Sequence, residues 1–486
     1  MENNVIETFL YDLLFEIFMD MDKLKIQEIK DFFSQLVQIM EEKAVYADCL
    51  YTSVHEKTIN KDKTQIDIDD DADIGCKLRV FDGKKFIEKG ITGFDKEKLT
   101  QAALQLKDSV KEINMQLHNV ELLKDQEEID KDFVQEGEID HTKISLHKKV
   151  DFINKLQKRI LTFDKRIVNA RVMYEELYEV KIFVNHKKRL SQVINGCLIL
   201  LLPFVQTPTG EIRYHYKSVF KAGYEATKIS DDEIKNVCHM ALHMLEAKRI
   251  TPGKYTCLLT PALSGLLAHE SFGHGMEADT MFKGRAKASE YVGKKIAPDN
   301  VSIVDNPSYT AKHGSFFFDD EGQITGPTYL IKNGVVNNPI TDLYSASRLH
   351  VPRSGNARGE SYDHKAFARM SNTYFMNGND DPDEMLKNVE DGYYLHYSSG
   401  GMEDPKGWGT QIQGIVAEKI KNGKLTKEFF YEIGLTGFLP TILSNITKVG
   451  NKLDIPGTGK CGKGHKEWVR VSEGGSHLLI KQLHLS

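Results

Sequence analysis

Hydrophobic side chains recur along this chain with two different periods, and the changes between them divide it into segments. Over the first forty-odd residues, apolar positions such as Phe9 and Leu13 lie three to four residues apart, which is typical of the buried face of a helix. Further on, short segments rich in β-formers follow, and Asp82-Gly83 is a typical hairpin turn between two of them. The pattern predicts an N-terminal helical extension over residues 1–45 and strands after it.

The segment from residue 46 to 245 shows both periods, so we expect an α+β domain there. Helical spacing returns at 95–126 and at 146–161, and paired strands are predicted within 168–205. Residues 127–145 are acidic and polar, which predicts a linker or mobile loop. If the domain holds two subdomains, the break between them is expected in that segment.

The remainder of the chain, residues 246–486, is expected to form a separate C-terminal domain. It is rich in glycine and in strand-forming segments, with hairpin turns predicted at Asn333-Gly334 and Asn422-Gly423. The predicted fold class is therefore α+β. The N-terminal half mixes helices with twisted antiparallel strands, and the C-terminal half is mainly antiparallel β around one helix that carries the candidate chemistry.

Composition and charge narrow the class of protein. The 486 residues are 40% hydrophobic and 28% charged, as in ordinary soluble proteins of two or three domains. A net charge of −6 gives no general basic surface, so nucleic acid is not expected as a partner. The best apolar run, 197–205, is far shorter than a membrane span, and the first residues carry no basic signal. We expect no membrane partner, a cytoplasmic location and reduced cysteines.

The candidate chemistry concentrates between His269 and Glu277, where two imidazoles and two carboxylates fall within nine residues. Thr260 is a suitable N-cap and Pro261 suits a first turn, so a helix is predicted to lead into this segment. Zinc hydrolases use such a histidine pair as metal ligands and the adjacent glutamate, here Glu270, as general base. A buried helix with two unrelated histidines would show the same short pattern.

The spacing of His269 and His274 predicts an irregular helix. Positions five apart differ by about 140° of rotation on an ideal helix, whereas positions four apart differ by about 40°. Both rings can therefore face one metal only if the helix takes a wide π-type turn or breaks near Gly273. Gly273 and Gly275 bracket His274 and make either distortion easy.

A cysteine near the carboxyl end also departs from the usual pattern. Cys461 lies in a glycine- and lysine-rich loop with little apolar cover, where neighbouring lysines favour the thiolate that binds metals. Other polar segments support weaker hypotheses. Five aspartates between residues 67 and 73 are better explained as an exposed turn than as a calcium loop, because the glycine and terminal glutamate of such a loop are absent.

Arginine and tyrosine side chains in the C-terminal half admit both a functional and a structural role. Arg348, Arg353 and Arg358 could orient a carboxylate or polarise a carbonyl, but surface salt bridges are the favoured interpretation. Tyr362 and Tyr374 could donate to an oxyanion, but packing is favoured.

Four stretches of the C-terminal half together carry a resemblance to a known family. They are His269–His274, Asp319–Gly322, Gly355–Tyr362 with Arg369–Tyr374, and Gly459–Lys463 with Gly474-Gly475. In their order and combination, the chain resembles the TldD/PmbA family of proposed zinc metallopeptidases, on its TldD-like, catalytic side. The resemblance extends from about residue 47 to 480 and leaves the first forty-odd residues unmatched.

The resemblance implies that residues 246–486 form a C-terminal metallopeptidase domain, with a defined ligand set and reaction. It implies that His269, His274 and Cys461 bind Zn²⁺, with Glu270 as general base in the hydrolysis of peptides or unfolded polypeptide segments. Three protein ligands leave a fourth position for water. Apart from the resemblance, Glu277 lies one turn past His274 and is a candidate acceptor that could orient the ring. This chain departs from the family pattern at His465, which could compete for the metal or contact substrate. Cys461 remains the favoured third ligand.

The resemblance also implies assembly and leaves alternatives open. Catalytic members are thought to assemble with metal-free partners, so a homodimer or a heterodimer with a PmbA-like relative is expected. One alternative function is a non-catalytic or regulatory binding subunit, which the retained ligand set argues against. Another is hydrolysis of a small amide, which the sequence does not separate from peptide hydrolysis.

Overall fold

The structure is a computed structural model that describes residues 25–110, 120–125, 127–463 and 467–486. Its first element is helix α1 over residues 25–41, with Phe33, Leu36 and Met40 on the buried face. Most of the helical extension predicted over residues 1–45 lies outside the described residues.

The N-terminal half is one eight-stranded sheet with helices on one face. Its elements are β1 Tyr46–Lys61, β2 Ile66–Phe81, β3 Phe86–Thr92, α2 Lys96–Ser109, β4 Ile129–Gln135, α3 Leu146–Leu161, β5 Ile167–Asn185, β6 Lys188–Gln206, β7 Ile212–Tyr214, β8 Lys217–Lys221 and α4 Asp231–His243. The strand order is β3-β2-β1-β5-β6-β4, with β7 and β8 also paired to β6. Helices α1 to α4 pack on the face that presents Cys49 and Ile182.

The opposite face of this sheet meets the C-terminal half. Leu50 and Phe183 pack there against Phe318, and Arg79 reaches across to Glu321 with 2.6 Å between Nη1 and Oε1. The two halves of the chain therefore share a packed interface.

Two acidic segments differ from their predictions. The linker expected within 127–145 contains β4, which adds in parallel to β6. Its Asp130 and Asp132 both lie within 3 Å of the buried ammonium of Lys30, so they serve as ion-pair partners. The aspartates between residues 67 and 73 form an exposed part of β2 rather than a turn, because each residue pairs with β1.

The C-terminal half holds two larger sheets. Its elements are β9 Gly253–Leu259, α5 Pro261–Ala268, α6 Ala278–Phe282, β10 Ile303–Asp305, β11 Thr328–Lys332, β12 Val335–Val336, α7 Leu343–Leu349, β13 Ala357–Arg358, β14 Phe367–Ala368, β15 Asn372–Phe375, α8 Pro382–Lys387, β16 Asp391–Tyr397, β17 Gly400–Asp404, β18 Gly409–Lys421, β19 Lys424–Phe438, α9 Leu439–Ser444, β20 Ile446–Val449, β21 Gly459–Lys463, β22 Glu467–Gly474 and β23 Leu478–Leu485.

The order of the seven-stranded sheet is β16-β9-β23-β19-β18-β17, with β20 beside β23, and that of the six-stranded sheet is β12-β11-β10-β15-β22-β21. Most pairings are antiparallel; β9–β16 and β15–β22 are parallel. The predicted α+β fold class is confirmed. The predicted turns at Asn333-Gly334 and Asn422-Gly423 are also confirmed, with positive φ at all four residues. No helix among the described residues is long and apolar enough to cross a membrane.

Candidate metal centre

Helix α5 is positioned between the two sheets of the C-terminal half. Thr260 accepts a hydrogen bond from the Leu263 amide as N-cap, and Pro261 occupies the first turn. Leu263 and Leu267 belong to the main core. A Cβ at Gly265 would overlap the backbone of Gly474, so the helix approaches β22 as closely as a glycine allows. This packing fixes the direction in which the end of the helix points.

The end of that helix is irregular, as the histidine spacing predicts. A π-helical turn covers His269–Gly273 and a 3-10 turn covers His274–Met276. A Cβ at Gly273 would overlap the sulfur of Met370, so this position has no room for a side chain. The predicted distortion between His269 and Gly275 is confirmed, and it takes the form of the wide turn.

The π turn and the distant strand β21 bring His269, His274 and Cys461 together. One donor atom of each lies within 4.8 Å of the other two, and Sγ of Cys461 is 3.4 Å from Nε2 of His274. The two imidazole rings are nearly perpendicular, with centroids 5.4 Å apart. Two nitrogens and a thiolate form a donor set that suits zinc and leaves one position open.

Burial and unpaired groups support a ligand at this centre. Nδ1 of His269 is buried and has no hydrogen-bond partner among the described residues. Cys461 was expected to have little apolar cover, but it is only 7% exposed and belongs to the main core together with Val469, its partner across the hairpin. Burial alone would raise the pKa of the Cys461 thiol, but the two imidazoles outweigh it and lower the pKa to about 5. The thiol is thus held in its metal-binding form.

A buried carboxylate and an ammonium group lie behind the His274 ring. Oε2 of Glu277 is 3.6 Å from Nδ1 of His274 and 3.0 Å from Nζ of Lys463. Lys463 also contacts Asp279 at 2.5 Å. Burial would raise the pKa of Glu277, but Lys463 and His274 lower it to about 2. Glu277 is therefore placed as the sequence predicts, where an anionic acceptor can orient the ring.

Arg369 holds the hairpin that carries Cys461. Its side chain is fully buried and donates from Nη2 to the Cys461 carbonyl at 2.6 Å and from Nη1 to the Glu467 carbonyl at 2.8 Å. Its Nε lies 3.9 Å from Oε1 of Glu277. Sequence reasoning missed the roles of Arg369 and Lys463, although both lie in stretches that carry the family resemblance.

A cavity of about 1200 Å³ opens onto the centre and contains three further carboxylates. Glu270 faces the strand β17, where a Cβ on Gly401 would lie 2.7 Å from its Cγ. Glu403 accepts a hydrogen bond from the Gly275 amide at 3.0 Å, and burial raises its pKa well above the usual range. Burial likewise raises the pKa of Glu473. No local motif marks Glu403 or Glu473 in the sequence.

The other predicted residues lie away from the centre. Arg348 is exposed on α7, whereas Arg353 is buried against Asp125 at 3.2 Å and Arg358 is buried beside main-chain carbonyls. Arg353 thus forms an ion pair, as favoured, but in the interior rather than on the surface. For Arg358 the expected surface salt bridge is wrong, because its side chain is buried between the two halves. Tyr362 packs on Gly75, and Tyr374 belongs to a small core cluster. Both tyrosines therefore have the packing role that was favoured. His465 lies outside the described residues.

Comparison with known proteins points to one group. Residues 252–486 match the family described as the PmbA/TldA metallopeptidase C-terminal domain. A metalloprotease of Methanocaldococcus jannaschii is 29% identical over 361 residues, which are 73% of this chain and 77% of the relative. A metalloprotease of Methanothermobacter thermautotrophicus is 30% identical over 318 residues, 65% of this chain and 69% of the relative.

A further relative and a solved structure extend the comparison. The zinc metalloprotease TldD homolog of Saccharolobus solfataricus is 25% identical over 342 residues, 69% of this chain and 75% of that protein. The crystal structure of TldE from Thermococcus kodakarensis has the same fold, with a TM-score of 0.72 and 13% identity over 93% of this chain and 99% of that one.

Proposed function

Because the chain belongs to the TldD/PmbA family of metallopeptidases, we propose that it is a TldD-like zinc peptidase. His269, His274 and Cys461 would hold the metal, and Glu270 would act as general base. The observation that carries the proposal is the convergence of three donor atoms within 4.8 Å from a distorted helix and a distant hairpin. A buried helix with unrelated histidines would not require this meeting with a third donor.

The residues around the centre divide the work of hydrolysis. A zinc ion bound here would polarise the substrate carbonyl and lower the pKa of a water molecule. Glu270 faces the cavity and can accept a proton from the attacking water, then return it to the leaving amine. Glu277, held by Lys463, keeps the His274 ring oriented, and Arg369 fixes the carbonyl of Cys461.

The size of the cavity favours a peptide over a small amide. At about 1200 Å³ it exceeds the roughly 300–1,000 Å³ usual for drug-sized ligands. Unfolded polypeptide segments are therefore the proposed substrates. A purely non-catalytic binding subunit would have no need of the donor set, so the intact set supports the enzyme.

Removal of the metal should stop peptide hydrolysis. We expect unfolded casein to be cleaved by the purified protein, cleavage to cease after treatment with 1,10-phenanthroline, and stoichiometric Zn²⁺ to restore it. The released peptides are measured by mass spectrometry. The blank is the purified protein incubated without casein. Cleavage that continues undiminished after verified loss of the metal would contradict the proposal.

We further propose that the protein works as a dimer, with itself or with a metal-free relative. The support is family analogy, including the TldE fold neighbour. Sedimentation velocity at micromolar concentration should show a dimer of this chain alone, or one formed only after a co-purified relative is added. A monomer with full peptidase activity would speak against this assembly.

A further inference from the structure

A second cavity, of about 530 Å³, lies between the N-terminal sheet and the C-terminal half. Its walls come from β1, β2 and β5 on one side, and from residues 313–320, 358–364 and the β21–β22 hairpin on the other. We call it the arginine cavity, after Arg358. It shares Lys460 and Trp468 with the metal cavity, so the hairpin carrying Cys461 separates the two.

Arg358 contributes a buried positive charge to this cavity. The residue is 8% exposed, and its Nη1 donates to the main-chain carbonyls of Met370 at 3.0 Å and Arg470 at 2.7 Å. Its guanidinium carbon lies 4.9 Å from the centre of the Phe316 ring. The two carbonyls accept hydrogen bonds from one guanidinium nitrogen, and the Phe316 ring covers one face of the group. None of these partners carries the negative charge that a buried guanidinium needs.

The carboxylates nearest to Arg358 already have cations of their own. Asp320 contacts Nζ of Lys181 at 2.6 Å, and Glu179 contacts Arg470. Glu56 contacts Lys460 at 3.1 Å. Among the residues that the structure describes, no carboxylate oxygen lies within 4.0 Å of Arg358, in contrast to Lys181, Lys460 and Arg470.

The surroundings of Arg358 make this charge unfavourable until an anion enters. Burial, together with the nearby charges of Arg470 and Arg369, lowers the pKa of Arg358 to about 10, although Asp320 and Glu179 act in the opposite direction. Phe316 fixes the guanidinium plane on one side. Arginine recognises carboxylates through two parallel hydrogen bonds, which one planar group held in this way can offer.

The mouth of the cavity selects among anions. Asp71, Glu360 and Asp363 are exposed around it, and Asp73 is half-buried beside them. This acidic rim repels a simple anion but attracts an ammonium group. A ligand with both charges fits the arrangement, and the volume lies within the range usual for small ligands.

We propose that the arginine cavity binds a free amino acid or short peptide, with its terminal carboxylate on Arg358 and its ammonium group toward the acidic rim. Such compounds are products of peptide hydrolysis, but the site itself does not depend on the proposed peptidase activity. Because the hairpin that carries Cys461 contributes residues to both cavities, a ligand in the arginine cavity would lie next to the strands that position this proposed metal ligand.

Binding can be tested with three matched probes. L-alanyl-L-alanine, its C-terminal amide and its N-acetyl form would be titrated calorimetrically into the Glu270→Gln protein, in which any hydrolysis of the probes should be roughly 10²- to 10⁴-fold slower than in the wild type. We expect the free dipeptide to bind, and the amide to bind roughly 10- to 100-fold more weakly because it loses the charged hydrogen bonds. The N-acetyl form should also bind more weakly, since it loses the contact with the rim.

Variants and metal removal locate the binding. Arg358→Gln should weaken dipeptide binding as much as amidation does, whereas Arg348→Gln, an exposed arginine on α7, should leave it unchanged. Binding should survive chelation, because the metal centre is a separate cavity. Equal affinity for the acid and the amide would overturn the proposal, and so would loss of binding on chelation. If Arg358→Gln unfolds, the comparison of acid with amide decides the matter alone.

Discussion

The Glu270→Gln protein is expected to bind zinc as the wild type does and to cleave peptides roughly 10²- to 10⁴-fold more slowly. Glu270 follows His269 directly, so its side chain points about 100° away from that ligand at the start of the π turn. It is therefore better placed to reach a water in the cavity than to join the ligands. Glutamine keeps the size of the side chain and removes its basicity.

Two measurements on the same preparation check this expectation. Metal analysis should give one zinc per chain, and kcat on an unfolded substrate should fall. Glu290→Gln is the matched control, because Glu290 is exposed and lies 3.6 Å from Lys287 near the surface. Wild-type turnover by Glu270→Gln would refute the assignment, and loss of turnover in Glu473→Gln instead would transfer the role of general base to that half-buried carboxylate.

The double variant His269→Ala/His274→Ala is expected to lose stoichiometric zinc and all peptidase activity above background. Removal of an outer partner of a metal ligand already costs about 10- to 100-fold in affinity, and this change removes two of the three proposed ligands. Since zinc bound only to the folded state stabilises it, the increase in melting temperature on zinc addition should also vanish.

Cys461→Ala separates the third ligand from the other two. Zinc should be held much more weakly in this variant, and partial retention would point to His465 as a substitute. Cys238→Ala, a buried thiol in α4, serves as the control and should bind zinc normally. Undiminished zinc in the double histidine variant would show that these residues are not the metal site.

An irregular end of the histidine helix was predictable from the sequence because helix geometry relates spacing directly to direction, although a wide turn and a break were left as alternatives. The meeting of Cys461 with the two histidines was not predictable from local patterns, since it depends on the hairpin β21–β22 docking beside α5. Only the family resemblance implied that Cys461 joins the histidines as a ligand. Arg369, Glu403 and Glu473 reach the centre from three different elements, and no periodic pattern within any of them marks a functional side chain.

The fold class was predictable from the periods of the hydrophobic residues, but the strands in two acidic segments were not. Strand β4 is an edge strand whose aspartates neutralise Lys30, so its composition is that of a linker. The acidic part of β2 is exposed along its length and takes its register from β1 alone. Where a strand buries little apolar surface, hydrophobic and polar residues no longer alternate, so the sequence pattern does not reveal the strand.

The position of β23 has a consequence for the order in which the protein folds. Strand β9, which leads directly into α5, pairs on one side with β16 and on the other with β23, so that Leu259 meets both Leu395 and Leu478. During synthesis, β9 and the histidine helix leave the ribosome long before either neighbour exists. Pairing between such distant segments is slow. The histidine helix therefore cannot be held between its two sheets until β16 and β23 have been made, and the proposed metal centre is among the last parts of the chain to form.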